Sequence, residues 1–575
     1  MNTKKWWQTA IGYEIYPQSF FDSNDDGWGD LQGIIQKLDY LHDLGVNLLW
    51  ICPFLQSPMD DNGYDVSNHF QVDPHFGKNE DLKMLIDQAH QRDIKIVMDF
   101  VLNHTSDEHP WFKIAINNPL SQEHEYYIWQ KPRGFINGVP QPPNNWRGFF
   151  SDSAWAYVTQ NKEYYMKIFS KKMPDLNWEN PRLREEIYQI ARYYLDLGID
   201  GFRVDAIAHL ARDLSFANST QNLDSDGLTL DVGKFSNRDR LFDYLHEFKE
   251  KVLIKYPHVM TIGEVGGNSS TATALRYASR TFGAINMVFN FDTCWENGAY
   301  GSDHLPDEMI KTNLVNMKHI FKRWYDDCHL EADMPLYWVN HDHPRVLSQY
   351  GDINYRKESA KMLISVLLFM YGTPFIYNGD EIGMSNLTTN DLTPFMQDVS
   401  ARNYIYHARM SGKDDAIIAR FLKRTSRINA RTPMQWDNTP FAGFSKHQPV
   451  IPANSNYPEV NVANELLDED SILNYYRQAI KLRKSASISK LVLDGPFVII
   501  DMDHPDVFFY RHCHEQQQLF VIANFRDKVI EYQHQEITKF AELLLHNYKD
   551  VERVDDKMTL KPFECCVFLN NSGGK

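Results

Sequence analysis

The 575-residue chain reads as an α/β protein built on a (β/α)8 barrel of the TIM type, with a subdomain inserted after the third strand and a C-terminal antiparallel β-sandwich domain. Three observations lead there. Eight apolar, strand-like runs alternate with helical stripes as far as Tyr377. One connection, from about His104 to Lys172 and rich in Pro, Asn, Trp and Gly, is far too long for an ordinary βα loop. Beyond about Val492 the helical pattern gives way to short alternating runs. The implied division is 1–103 for the first part of the barrel, 104–172 for the insert, 173–492 for the rest of the barrel and 493–575 for the β domain.

Taken in order, the barrel strands are expected at 12–16, 46–52, 94–100, 201–205, 259–264, 284–289, 336–340 and 374–377. Between them, Leu31, Ile34, Ile35, Leu38 and Leu41 form one helical stripe, and Leu82, Leu85, Ile86 and Ala89 a second. Asn180 followed by Pro181 marks a helix start, continued by Leu183, Ile187, Ile190, Ala191 and Tyr194. In the last domain the runs 497–502, 507–511, 519–523 and 565–569 alternate as strands do, with Gly495-Pro496 as a turn.

Composition narrows the function classes. A formal charge of −17 and a pI near 5.7 disfavour a nucleic-acid or anionic-membrane partner, because phosphates reward clustered Lys and Arg. An aromatic content of 13% suits the flat apolar faces of sugars, although most of those rings must be core. No signal peptide and no run approaching the ~20 apolar residues of a membrane span is visible. Cys52, Cys294, Cys328, Cys513, Cys565 and Cys566 show no zinc-like spacing and read as reduced thiols of a cytoplasmic protein. A monomer or weak homodimer with no organic cofactor is expected.

Three acids stand at the ends of strand-like runs: Asp205 in Gly-Phe-Arg-Val-Asp, Glu264 in Thr-Ile-Gly-Glu and Asp342 in Val-Asn-His-Asp. The C-terminal strand ends are where barrel chemistry sits. Arg203, two residues before Asp205, shares its face of the strand and favours its ionised form, whereas no cation lies within three residues of Glu264. One carboxylate held charged and one held protonated is what glycoside hydrolysis requires.

Near the start, Asp22, Asn24, Asp26 and Asp30 place side-chain oxygens at positions one, three, five and nine of a loop. Gly27 allows its turn and Trp28 offers a carbonyl, a set suited to a hard cation. The twelfth position is Gly33 instead of Glu and no helix precedes, so this is not an EF-hand. A solvated acidic turn without metal is the plainer alternative.

In this order, Asp99-Phe-Val-Leu-Asn-His104, Gly201-Phe-Arg-Val-Asp205, Gly263-Glu264-Val265 and Asn340-His-Asp342 resemble the four signature regions of the α-amylase superfamily of glycoside hydrolases. The strings 173–178 (MPDLNW), 378–383 (NGDEIG) and 430–436 (ARTPMQW) resemble its α-glucosidase and oligo-1,6-glucosidase branch. The resemblance implies Asp205 as nucleophile, Glu264 as acid/base and Asp342 as transition-state stabiliser, with retention of the α configuration. It implies substrate contacts from Tyr64, Asp65, His104, Arg203, His341 and Arg431, removal of single terminal glucose units, and a structural calcium or magnesium ion in the 22–30 loop. For Trp146, Phe149 and Phe150 in the insert, core packing and contact with a second sugar both stay open.

The residue after the nucleophile lines the second-sugar site in this branch, with Val in α-1,6-preferring relatives and Thr or Ala in those accepting α-1,4 links. Here it is Ala206, which leans the expectation to short α-1,4 substrates such as maltose, with sucrose also admitted. Met173, where α-1,6 relatives usually have Gln, and Ile428, where Asp is usual, depart from the pattern. The alternatives are an oligo-1,6-glucosidase, then a trehalose-6-phosphate hydrolase, for which Lys171 and Lys172 are available, or a transglycosylase or sucrose isomerase, whose charged Arg-Leu-Asp-Arg-Asp loop is absent. A non-enzymatic transporter partner is disfavoured, because the catalytic residues are intact and no membrane helix is seen.

Overall fold

In the computed structural model, the described residues are 4–150, 152–221, 223–266, 269–292 and 309–571. Eight parallel strands form a nearly closed barrel: β1 (Gly12–Ile15), β2 (Leu48–Ile51), β3 (Lys95–Val101), β4 (Gly201–Asp205), β5 (Met260–Glu264), β6 (Met287–Phe289), β7 (Pro335–Leu336) and β8 (Thr373–Tyr377). The hydrogen-bonded order is β6-β5-β4-β3-β2-β1-β8-β7. Seven coincide with the expected runs, and β7 shares only Leu336 with its expected run of 336–340. Five residues were expected at β7 and two pair, because Leu336 stands opposite Pro374, which has no N–H to extend the ladder. Across the β6–β7 seam the Phe289 and Tyr337 rings pack edge to face at 5.0 Å, and the Tyr337 hydroxyl donates to the Asn290 carbonyl.

Helices cover the barrel. The stripe expected as one helix after β1 is two, Leu31–Gln36 and Leu38–Leu44. At the break, Lys37 carries its ammonium 3.9 Å above the Phe21 ring and 4.1 Å above that of Trp436. The helix Pro181–Leu197 starts as its sequence directs: the Asn180 side chain accepts from the Arg182 amide at 2.9 Å, Pro181 takes the first position, and Gly198 closes the helix at φ 111°.

The long connection after β3 has its own three-stranded antiparallel sheet, of Trp129–Gln130, Trp155–Val158 and Glu163–Met166, and a hairpin, Gly134–Ile136 with Val139–Gln141. Trp146 is buried in its core with Trp155, Tyr164 and Phe235. After β8, helices Val399–Met410 and Asp415–Thr425 enclose a further small core around Phe395, Ile405, Ile418 and Ile428. The C-terminal domain pairs a five-stranded with a three-stranded antiparallel sheet, and Phe509, Phe520, Tyr532, Phe540, Met558 and Phe568 fill the space between them. Cys52, Cys328, Cys513, Cys565 and Cys566 are free thiols, and Cys294 lies outside the described residues. Among the described residues no helix is long and apolar enough to cross a membrane.

Candidate active site

At the C-terminal ends of the strands a cavity of about 470 Å³ opens between the barrel and the insert. Asp205 ends β4 and Glu264 ends β5, and Arg203, two residues before Asp205, lies between them at the floor. Its Nη1 stands 2.7 Å from Asp99 Oδ1 and 2.5 Å from Asp205 Oδ1, while Nη2 stands 2.9 Å from Glu264 Oε2. One guanidinium therefore serves three carboxylates. This corrects the expectation that Glu264 has no cation, for its partner comes from the neighbouring strand. Burial pushes the Asp205 carboxyl well above the ordinary carboxylate value; Arg203 opposes that rise, and the charges of Glu264 and Asp99 add to it.

Across the cavity, Asp342 accepts from Arg431 Nη2 at 2.8 Å and Arg427 Nη1 at 3.1 Å, and its Oδ2 lies 3.3 Å from His341 Nε2. Burial works against its charge, but His341, Arg427 and Arg431 together hold the carboxyl well below the ordinary range. Asp342 is thus a fixed anion.

The Tyr64 ring lies nearly parallel to that of His341 at 5.4 Å, and its hydroxyl is 2.6 Å from His341 Nε2 and 3.3 Å from Asp99 Oδ2. The His104 Nε2 is 3.3 Å from the Tyr64 carbonyl, and burial pulls this imidazole down to about 4, so it is neutral at physiological pH. Tyr64, His104, Asp205, Ala206, Glu264 and Asp342 all line the cavity, while Arg203, His341 and Arg431 stand behind the lining and are completely or almost completely buried. Phe149, Phe150, Phe169 and Phe291 make the apolar wall, with Met173.

Two expectations need correction. Asp65 does not line the cavity: it is completely buried and binds its own loop, accepting from Ser57 Oγ (2.9 Å) and from the Asp60 (2.9 Å) and Asp61 (3.1 Å) amides. Asp61 faces the cavity in its place, 2.6 Å from Arg427 Nη2. No local pattern in the sequence pairs Asp61 with an arginine so far along the chain. Ile428 likewise points away, into the small core beside the barrel, and Asp398 provides the acid for Arg427 at 2.6 Å.

Ala206 has φ 45° and ψ 31°, in the left-handed region uncommon for a residue with a Cβ. That turn aims its amide at Glu264 Oε2, 3.1 Å away.

The 22–30 loop folds through side-chain-to-amide bonds. Asp22 accepts from the amides of Asn24 (3.1 Å), Asp25 (2.7 Å) and Gly27 (2.8 Å), Asn24 from Asp26 (3.0 Å), and Asp26 from Trp28 (2.8 Å). Asp30 caps the next helix through the Gly33 amide at 2.6 Å. Burial raises the Asp30 carboxyl, and the nearby charge of Asp22 adds to the rise. Asp22, Asp26 and Asp30 do not form a tight three-carboxylate cluster, so an ion held here would need amide and carbonyl oxygen as well, a donor set that fits a hard cation.

A barrel with carboxylates at its strand ends, one shared guanidinium and an aromatic wall is the constitution of a carbohydrate-cleaving site. Residues 14–491 match the alpha-amylase catalytic domain, and the chain belongs to the α-amylase family of glycoside hydrolases. It is 38% identical over 569 residues to an oligo-1,6-glucosidase of Bacillus cereus, covering 98% of this chain and 99% of that one. Among solved structures, a trehalose-6-phosphate hydrolase of Bacillus licheniformis superposes with a TM-score of 0.90 at 34% identity, over 98% of this chain and 100% of the other. The isomaltulose synthase of Protaminobacter rubrum superposes with a TM-score of 0.91 at 31% identity, over 99% and 100%.

Proposed function

We propose that the protein is a retaining, exo-acting α-glucosidase that removes α-glucose from the non-reducing end of short α-glucosides, α-1,4-linked maltose-type substrates first and sucrose also. The observation that carries the reaction is the guanidinium of Arg203 joined to Asp205 and Glu264, with Asp342 facing them across the same cavity. Asp205 attacks the anomeric carbon as the glycosidic bond breaks, and Glu264 gives its proton to the departing oxygen. Water, losing its proton to Glu264, then releases glucose from Asp205 with the α configuration restored. Asp342, held ionised by two arginines and His341, stabilises the positive charge that grows on the sugar ring.

Two features support the linkage. The methyl of Ala206, beside the nucleophile, leaves more room for the second sugar than a branched side chain would, and Met173 adds an apolar surface. The lining also speaks against a phosphorylated sugar: among the described residues it offers Asp61, Asp205, Glu264 and Asp342 against the single Arg or Lys, Arg427, and Lys171 and Lys172 are exposed outside it. The second reading is an oligo-1,6-glucosidase, favoured by the name of the Bacillus cereus relative. We further propose that the 22–30 loop binds calcium or magnesium for stability alone.

The test is turnover of maltose, isomaltose, sucrose, trehalose and trehalose 6-phosphate, with the anomer of newly released glucose read by NMR. Maltose should be preferred and α-glucose should form first. A first-formed β-anomer would overturn retention, and a strong preference for isomaltose would replace the α-1,4 reading with the second.

A further inference from the structure

Beneath the floor, on β1, Glu14 is 1% exposed, and among the described residues its only ion-pair partner is His341. Its Oε1 lies 2.6 Å from His341 Nδ1 and accepts the His341 backbone N–H at 3.2 Å. On the opposite side of the ring, Nε2 lies 2.6 Å from the Tyr64 hydroxyl and 3.3 Å from Asp342 Oδ2. The rings of Tyr16, at 6.1 Å, and Tyr64, at 5.4 Å, lie within 18° of parallel to the imidazole, so stacking sets its plane but not its rotation within that plane. The rotation is set by the Glu14 hydrogen bond.

Cys52 Sγ, 3.4 Å from Glu14 and 3.5 Å from His341 Nδ1, gives the trio the look of a metal site. The 2.6 Å contact speaks against one, since two ligands on one zinc at ~2.0–2.1 Å stand roughly 3.3 Å apart. Burial also raises the Cys52 thiol, keeping it protonated.

We propose that Glu14 is a positioning residue for the reaction: it accepts from His341 Nδ1 and its carboxylate favours the imidazolium, in which Nε2 also carries a proton to donate towards Asp342 and the sugar hydroxyls that Asp342 holds. This rests on the reading of Asp342 as the transition-state carboxylate. A histidine with an acceptor on each side donates from both nitrogens only when charged. The titratable and charged groups around it are Glu14 from β1, Tyr16 just after it, Cys52 and Tyr64 from beyond β2, Asp99 from β3, its neighbours Asp342 and His343, and Arg431, whose Nε donates to the His341 carbonyl at 3.0 Å. Burial opposes the imidazolium, but the ionised Asp342 beside it outweighs burial and His341 is held well above its ordinary value. The charge on His341 is present at low pH and is lost as pH rises through its raised value, so this requirement bears on the alkaline limb alone.

The experiment compares kcat/KM against pH for the wild type, Glu14→Gln and Glu14→Asp. Gln keeps the acceptor and removes the charge, so the alkaline limb should move down by about one pH unit, with kcat falling more than KM rises. Asp keeps the charge at a longer reach, so the limb should stay while kcat falls about tenfold. A folded Glu14→Gln protein with the wild-type limb would overturn the proposal. If that variant does not fold, Glu14→Asp decides: wild-type kcat overturns, and a tenfold loss with an unmoved limb supports. A wild-type protein that releases no glucose fails the proposed function instead, because the comparison then has no profile to shift.

Discussion

Asp205 and Glu264 occupy equivalent ends of adjacent strands, yet they differ in what holds them. Asp205 has Arg203 on its own strand, whereas Glu264 borrows the same guanidinium from the side and accepts the Ala206 amide. Replacing Asp205 by Asn removes the proposed nucleophile and leaves Arg203 paired to Asp99 and Glu264, so the fold should survive. Turnover should drop by at least about a thousandfold with thermal unfolding little changed, and residual activity above that level would unseat the assignment. The positions of the three acids were legible in the sequence because each ends an apolar run. The exchange of Asp65 for Asp61 was not, because both carboxylates sit in one short loop and only the folded chain decides which turns inwards. The shared guanidinium was hidden for a related reason: sequence shows neighbours along a strand, and Glu264 meets Arg203 across the ladder, where Arg203 is in register with Ile262.

Among the elements, strands and caps were the most readable. Asn180-Pro181 starts a helix as its chemistry demands, and seven of the eight barrel strands fall where the apolar runs are. The helices at 399–410 and 415–425 stand out little in the sequence because each buries only a few residues, Val399, Ala401, Ile405 and Ala408 in the first and Ile418, Ala419 and Leu422 in the second. In the 22–30 loop, backbone amides already orient the carboxylates of Asp22 and Asp26, and an ion would relieve the repulsion between Asp22 and Asp30. A chelator should therefore lower Tm by several degrees and calcium restore it, with kcat at low temperature unaffected; an unchanged Tm would rule out a stabilising ion.

At the scale of the whole molecule, the C-terminal domain is pinned to the barrel by Lys318. Its buried ammonium donates to the carbonyls of Asp501 (2.9 Å), His504 (2.8 Å) and Val507 (3.2 Å), and burial draws it down to about 8. Histidines at other junctions are buried neutral. Burial holds His69, His104, His209 and His512 at about 4, the last with its ring between the carbonyls of Gly495 and Phe369. Their folded values lie below the unfolded value of about 6.5, so the unfolded chain binds more protons in between. The stability they contribute is complete above about pH 6.5 and is lost as pH falls towards 4. His341, held high, contributes in the opposite sense. Replacing His512 by Gln should therefore flatten the dependence of Tm on pH between 7 and 4 in calorimetry, and an unaltered dependence would contradict a buried neutral imidazole at this position.

The excess of carboxylates around the cavity also has a bearing on inhibitor chemistry. In the proposed mechanism Asp205, Glu264 and Asp342 meet a sugar that becomes positively charged only in passing, and a small polyhydroxylated amine carries that charge permanently. Such a molecule meets in its resting state the field that a substrate meets only at the top of its barrier. Ring-nitrogen sugar mimics are therefore the natural starting point for a ligand, and amine buffers belong outside any assay of this site.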